Sequence, residues 1–192
     1  MNYIDILQPV KLIPQKARDI ALVISASWLL AISAQFAFNL PFSPVPVTGQ
    51  TLAVLLTGSL LGKNRGAAAV GLYLIQGAVG LPVFAGGKSG FITLAGPTGG
   101  YLIGFIAAAY IVGILAEMRY NKSLGYIAFS MFVGNLVIYS FGLFWLVQFV
   151  GESSALQMGL FPFLVGDFVK ILTGVIVLGG SMRISSMISS RG

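Results

Sequence analysis

Between residues 20 and 182 the chain is a succession of apolar runs, most of them of membrane-spanning length, parted by turns rich in charge, proline or glycine. No other feature of the sequence narrows the possible folds as far. Lipid offers no water to backbone N–H and C=O groups, so a run that crosses it must satisfy them internally, as a helix. A helix needs about 20 apolar residues to cross the hydrocarbon layer. Only 8% of the 192 residues are charged and 57% are apolar, whereas about a quarter of a soluble domain is charged. The spans are read at roughly 20–38, 48–61, 67–80, 99–116, 124–150 and 161–182. The fold class expected is an all-α integral membrane protein, one domain over residues 1–192.

Residues 1–18 mix apolar and polar groups around Pro9. They are read as a cytoplasmic N-terminal segment, with a short in-plane amphipathic helix as one reading. A cleavable signal peptide is not expected, because the basic residues come late and the run after Asp19 is long enough to span.

Charge placement tests the count of six. With the N-terminus cytoplasmic, the inner segments hold Lys11, Lys16, Arg18, Lys63, Arg65, Arg119, Lys122, Arg183 and Arg191, nine of the eleven basic residues. The outer segments hold only Lys88, and Lys170 lies inside the last span. Adding or dropping a helix would scramble this split, which follows the positive-inside rule. Both termini are therefore expected in the cytoplasm. The net charge of +6 follows from topology and attraction to anionic lipid, with no nucleic-acid partner needed.

Three elaborated connections then face outward: the proline-rich 39–47, the glycine-rich 81–98 between the third and fourth helices, and the Glu152 connection. Elaborated loops on one face point to capture from outside. Absence of cysteine and histidine excludes thiol nucleophiles, disulfides, zinc clusters and histidine acid–base chemistry.

The last span contains Asp167 and Lys170. Each charge at a helix centre costs about 2.5–3.5 kcal/mol on insertion scales. Three residues apart, they share a helix face. Either they neutralise each other structurally, or they face a cavity and offer an acceptor beside a cationic donor. A ligand with N–H donors and a carbonyl would match the second arrangement. In the 81–98 connection Gly86 and Gly87, and just after it Gly99, let backbone amides approach a ligand, and Lys88 is the connection's only cation. Phe84 and Tyr101 are candidate apolar walls. Asn135 and Gln50 are polar residues within spans, read as interhelical hydrogen bonders or as parts of a site.

The strings Pro44-Val45-Pro46-Val47-Thr48-Gly49-Gln50-Thr51-Leu52-Ala53-Val54, Gly80-Leu81-Pro82-Val83-Phe84-Ala85-Gly86-Gly87, Gly96-Pro97-Thr98-Gly99-Gly100-Tyr101-Leu102 and Gly166-Asp167-Phe168-Val169-Lys170 resemble the BioY family. They stand in the family's order and run from about residue 40 to 172. The resemblance implies a substrate-capture (S) component for biotin in an energy-coupling factor (ECF) transporter, not an enzyme, with no cofactor. It implies Asp167 as acceptor for the ureido N–H groups and Lys170 as donor to a polar acceptor nearby. Tyr101 is the first candidate for a wall against the apolar part of biotin. Gly86, Gly87, Thr98 and Gly99 are candidate donors near its carboxylate, and Lys88 is a local departure from the family pattern.

An ATP-driven pump would need a G-x-x-x-x-G-K-[ST] loop. Gly62-Lys63 is followed by Asn64, without the preceding glycine. The resemblance implies that energy comes from partners: a transmembrane coupling (T) subunit and two ATPase subunits. Docking is implied through small residues of the first helix, either Ala17, Ala21 and Ser25 or Ser27 and Ala31, since small-x-x-x-small surfaces permit close approach in lipid. The main alternative is a stand-alone secondary carrier, although the inverted repeats common in such carriers are not evident. An intramembrane aspartyl protease would need a second aspartate and a G-x-G-D motif, and Leu164 occupies the first glycine position.

Overall fold

Prolines decide where the first helices stop and start. Pro14 precedes the helix Gln15–Gln35 (α1), which then runs free of proline. Pro41, Pro44 and Pro46 lack amide donors and cannot continue a helix, so the chain crosses instead through a short antiparallel pair, Ala37–Phe38 (β1) with Val47–Thr48 (β2), in register Ala37 to Thr48. The computed structural model describes residues 14–118 and 123–189, with side chains through residue 180. Most of the 1–18 segment, and Lys11, Arg119, Lys122 and Arg191, lie outside the described residues; so does the side chain of Arg183.

Helices α2 (Gln50–Leu61) and α3 (Lys63–Ala78) follow, joined at Gly62 with φ +80°. A three-residue 3₁₀ turn at Ala85–Gly87 and a short helix α4 (Phe91–Ala95) give structure to the 81–98 connection. Then come α5 (Gly99–Met118) and α6 (Leu124–Val150). The Glu152 connection, read as an irregular polar stretch, is a helix, α7 (Glu152–Gly159). The last helix is α8 (Phe161–Ser189). Four stretches among the described residues are long and apolar enough to cross a membrane: Gln15–Gln35, Gly99–Met118, Leu124–Val150 and Glu152–Gly180. At 12 and 16 residues, α2 and α3 reach only about 18 and 24 Å at 1.5 Å per residue.

Side chains are distributed as lipid demands. Ile20, Ile24, Leu29 and Ile32 on α1, Phe129, Phe132 and Leu136 on α6, and Val165, Phe168 and Ile176 on α8 are all exposed. A soluble monomer rarely shows apolar patches on this scale. Inside, helices meet through small residues, as membrane bundles do. A Cβ on Gly58 would lie 2.5 Å from the carbonyl of Ala109, and Gly142 leaves room for the ring of Tyr101.

Tertiary bonds sort the connections to two ends of the bundle. At one end Ser43 Oγ donates to Met158 O (2.7 Å), Gln35 Nε2 to Phe84 O (3.4 Å) and Trp145 Nε1 to Gly96 O (2.9 Å). These join β1–β2, the 81–98 connection and α7. At the other end Arg65 pairs with Asp19 (2.8 Å), and Lys63 N donates to Glu117 Oε1 (3.1 Å).

Candidate functional site

The polar centre of the bundle grows from three helices. Asp167 and Lys170 lie three residues apart on α8, so they project from one face. Lys170 Nζ donates to Asp167 Oδ1 (2.9 Å) and to Thr51 Oγ1 (2.8 Å). Thr51 sits on the first turn of α2 and donates in turn to Asp167 Oδ1 (3.3 Å). From α6 the Tyr139 hydroxyl donates to Asp167 Oδ2. Asp167 is buried, and the carboxylate has a donor on each oxygen, as a charge taken out of water requires. The first turn of α2 is held at the level where α1 ends, because Gly49 N donates to Phe36 O (3.1 Å). Gln50 and Thr51 thereby reach the same depth as the α8 pair.

Above this cluster lies a cavity that opens to solvent. Asp167, Lys170, Thr51 and Gln50 supply its polar groups. Tyr101, Leu102 and Phe105 of α5, Ile138 and Tyr139 of α6, and Phe163 of α8 make a largely apolar wall. Val45, Pro46 and Thr48 close one side; Phe84, Ala85, Lys88, Thr93 and Thr98 close another. The cavity suits a ligand with an apolar body and a compact polar head.

Of the residues singled out from sequence, Asp167, Lys170, Tyr101, Lys88, Thr98, Phe84 and Gln50 line the cavity; Gly86, Gly87, Gly99 and Asn135 do not. The glycines serve backbone geometry. Gly86 and Gly87 take φ of +69° and +71° in the 3₁₀ turn, which residues with a Cβ rarely adopt. Their connection also uses its amides internally: Gly87 N donates to Phe84 O (3.0 Å), Gly90 N to Gly77 O (2.7 Å) and Gly99 N to Gly96 O (2.9 Å). Gly99 packs against Leu94 O and, at 3.2 Å from a built Cβ, Trp145 Nε1. Asn135 is buried one turn before Tyr139 on α6, and its Oδ1 has no hydrogen-bond partner among the described residues.

Thr51 and Tyr139 complete the polar cluster, yet sequence reading left them out of the site. Thr51 stood only as one letter of a motif string, and Tyr139 was not singled out. Asn135 drew attention as a polar residue within a span, and Tyr139, four positions on, shares its helix face, so the first could have led to the second. On α1, Ser27 and Ala31 are buried against the bundle, whereas Ala17, Ala21 and Ser25 are exposed. The Ser27–Ala31 stripe is therefore internal packing, not a free surface.

A bundle of apolar helices that holds a buried carboxylate paired with a half-buried ammonium beneath an apolar-walled cavity defines a multi-pass membrane protein that binds a small polar-headed molecule. Residues 8–186 match the BioY family, and the chain belongs to that family. It is 40% identical to the probable biotin transporter BioY of Pyrococcus horikoshii over 163 residues, covering 84% of this chain and 94% of that one. It is 37% identical to the biotin transporter BioY of Thermotoga maritima over 158 residues, covering 82% and 87%. The fold is similar to the crystal structure of the S-component for biotin from an ECF-type ABC transporter, with a TM-score of 0.78 and 25% identity, covering 90% of this chain and 93% of that one.

Proposed function

We infer that this chain is the biotin-capturing S component of an ECF-type transporter, a transporter subunit and not an enzyme. The observation that carries the reading is the Asp167–Lys170–Thr51–Tyr139 cluster at the base of an apolar-walled cavity, in a chain of the BioY family. The ureido ring of biotin carries two N–H donors and one carbonyl acceptor. Asp167 accepts from the ring N–H groups, and Lys170 donates to its carbonyl. Tyr101, Phe105 and Phe163 cover the thiophane ring and valerate chain. Lys88, exposed at the cavity rim, attracts the carboxylate, in place of a backbone amide cradle.

In this reading all six of α1, α2, α3, α5, α6 and α8 lie in the plasma membrane, with both termini cytoplasmic and the 81–98 connection outside. Nine of the eleven basic residues then fall on the inner side, as the positive-inside rule requires. The Ala17–Ala21–Ser25 face of α1 docks on the coupling subunit, supported by its exposure and its small side chains. That subunit and two ATPase subunits supply the energy. Reconstitution in vesicles tests the division of labour. The chain alone binds biotin without accumulating it, even under a pH gradient; uptake driven by that gradient would establish a stand-alone carrier instead.

A further inference from the structure

Tyr73 of α3 is fully buried and does not line the cavity. Its hydroxyl lies 2.5 Å from Gln50 Nε2 and 3.2 Å from the carbonyl oxygen of Val83. Counting protons fixes the direction of both bonds. A phenol has one proton, and a backbone carbonyl can only accept. The Tyr73 proton therefore goes to Val83, and the hydroxyl oxygen accepts from Gln50. It follows that Gln50 turns its NH₂ branch towards Tyr73, leaving Oε1 as the polar atom it brings to the cavity it lines.

The same tyrosine holds a cavity wall. Its ring packs edge-on against Phe84, with centroids 5.6 Å apart at 85°. Phe84 is buried, lines the cavity and belongs to the 81–98 connection.

We propose that Tyr73 is a positioning residue for ligand capture, locking the Gln50 amide as a hydrogen-bond acceptor and pinning Val83–Phe84 over the site through one hydroxyl. The proposal rests on the biotin reading of the cavity. The site then offers two acceptors, Asp167 and Gln50 Oε1, with the Lys170 ammonium as donor. That set matches the two N–H groups and one carbonyl of a ureido ring, and it disfavours a ring with fewer donors, because a buried acceptor left unpaired is costly.

The test is a double-mutant cycle on biotin affinity with wild type, Tyr73→Phe, Gln50→Leu and the double variant. Tyr73→Phe keeps the ring and its packing. It weakens binding about tenfold, the scale of one lost hydrogen bond to a buried polar group. The double variant loses less than the product of the two single losses, because only the Val83 bond is left for Tyr73→Phe to remove. Tyr73→Phe within about twofold of wild type, or losses that multiply in the double variant, overturn the proposal. A second readout uses only the wild type, labelled with ¹⁵N in its glutamine side chains. The Gln50 amide protons, facing Tyr73, keep their chemical shifts when biotin is added; a large shift, showing them turned to the ligand, overturns the proposal. Wild type that binds no biotin overturns the biotin reading instead, while the amide signal still reports the Tyr73 bond.

Discussion

Lys170 Nζ lies 2.9 Å from Asp167 Oδ1, one turn apart on the same helix, and the same ammonium reaches 2.8 Å across to Thr51 Oγ1 on α2. The pair is thus both neutralised within α8 and tied to a second helix. Removing one partner leaves the other charge buried, a loss of about 3–5 kcal/mol in comparable buried pairs. We predict that Lys170→Met lowers the melting temperature of the ligand-free protein in detergent more than Lys170→Met combined with Asp167→Asn does. Both variants lose biotin binding. A single variant as stable as the double would show that the pair carries no folding constraint.

Lys88 lines the cavity and is exposed. Exposed ion pairs contribute about 0.2–1 kcal/mol, so Lys88→Ala is predicted to weaken biotin about fivefold at most. The effect shrinks with added salt, because exposed charges are screened. Biotinamide, which lacks the carboxylate, binds wild type and Lys88→Ala equally. Titrations of both ligands at two salt concentrations check this.

The two small-residue stripes of α1 part company in the fold, one outward and one inward. Ala21→Leu, on the exposed face, is predicted to leave biotin affinity unchanged and to abolish co-purification with the coupling subunit. Ala31→Leu, at 4% exposure, overfills the packing against α3 and lowers stability, with overpacking costing about 1–3 kcal/mol. Pull-down beside thermal melting separates the two effects.

Much of this arrangement was legible in the sequence, because lipid imposes a length. Helices α3, α5, α6 and α8 begin or end within a few residues of the apolar runs, and the prolines at 41, 44 and 46 mark the break after α1. What escaped was local chemistry without an apolar signature. Glu152, Ser153, Ser154 and Gln157 read as a loop, yet the acidic Glu152 stands in the first turn of α7, where it favours the helix dipole. The glycines of 81–98 read as a ligand cradle, since sequence shows permissive backbone but not where its amides point. Thr51 and Tyr139 became part of the polar cluster only when α2 and α6 were packed against α8. Their partners stand 116 and 28 residues away in the chain, a distance that no local pattern spans.

The chain has no cysteine, so single substitutions report topology without background. Ser89→Cys in the 81–98 connection is predicted to react with an impermeant thiol reagent from outside intact cells. Asn64→Cys, in the first turn of α3, reacts only after the membrane is opened. The opposite pattern would invert the orientation.

The central claim is tested most directly by calorimetric titration of the purified protein with biotin, beside Asp167→Asn. The account predicts saturable one-site binding by wild type and its loss in the variant, which removes the charge that accepts from the ureido N–H groups. Unchanged binding by Asp167→Asn would return the Asp167–Lys170 pair to a structural role. A folded wild type that binds no biotin would contradict the account outright.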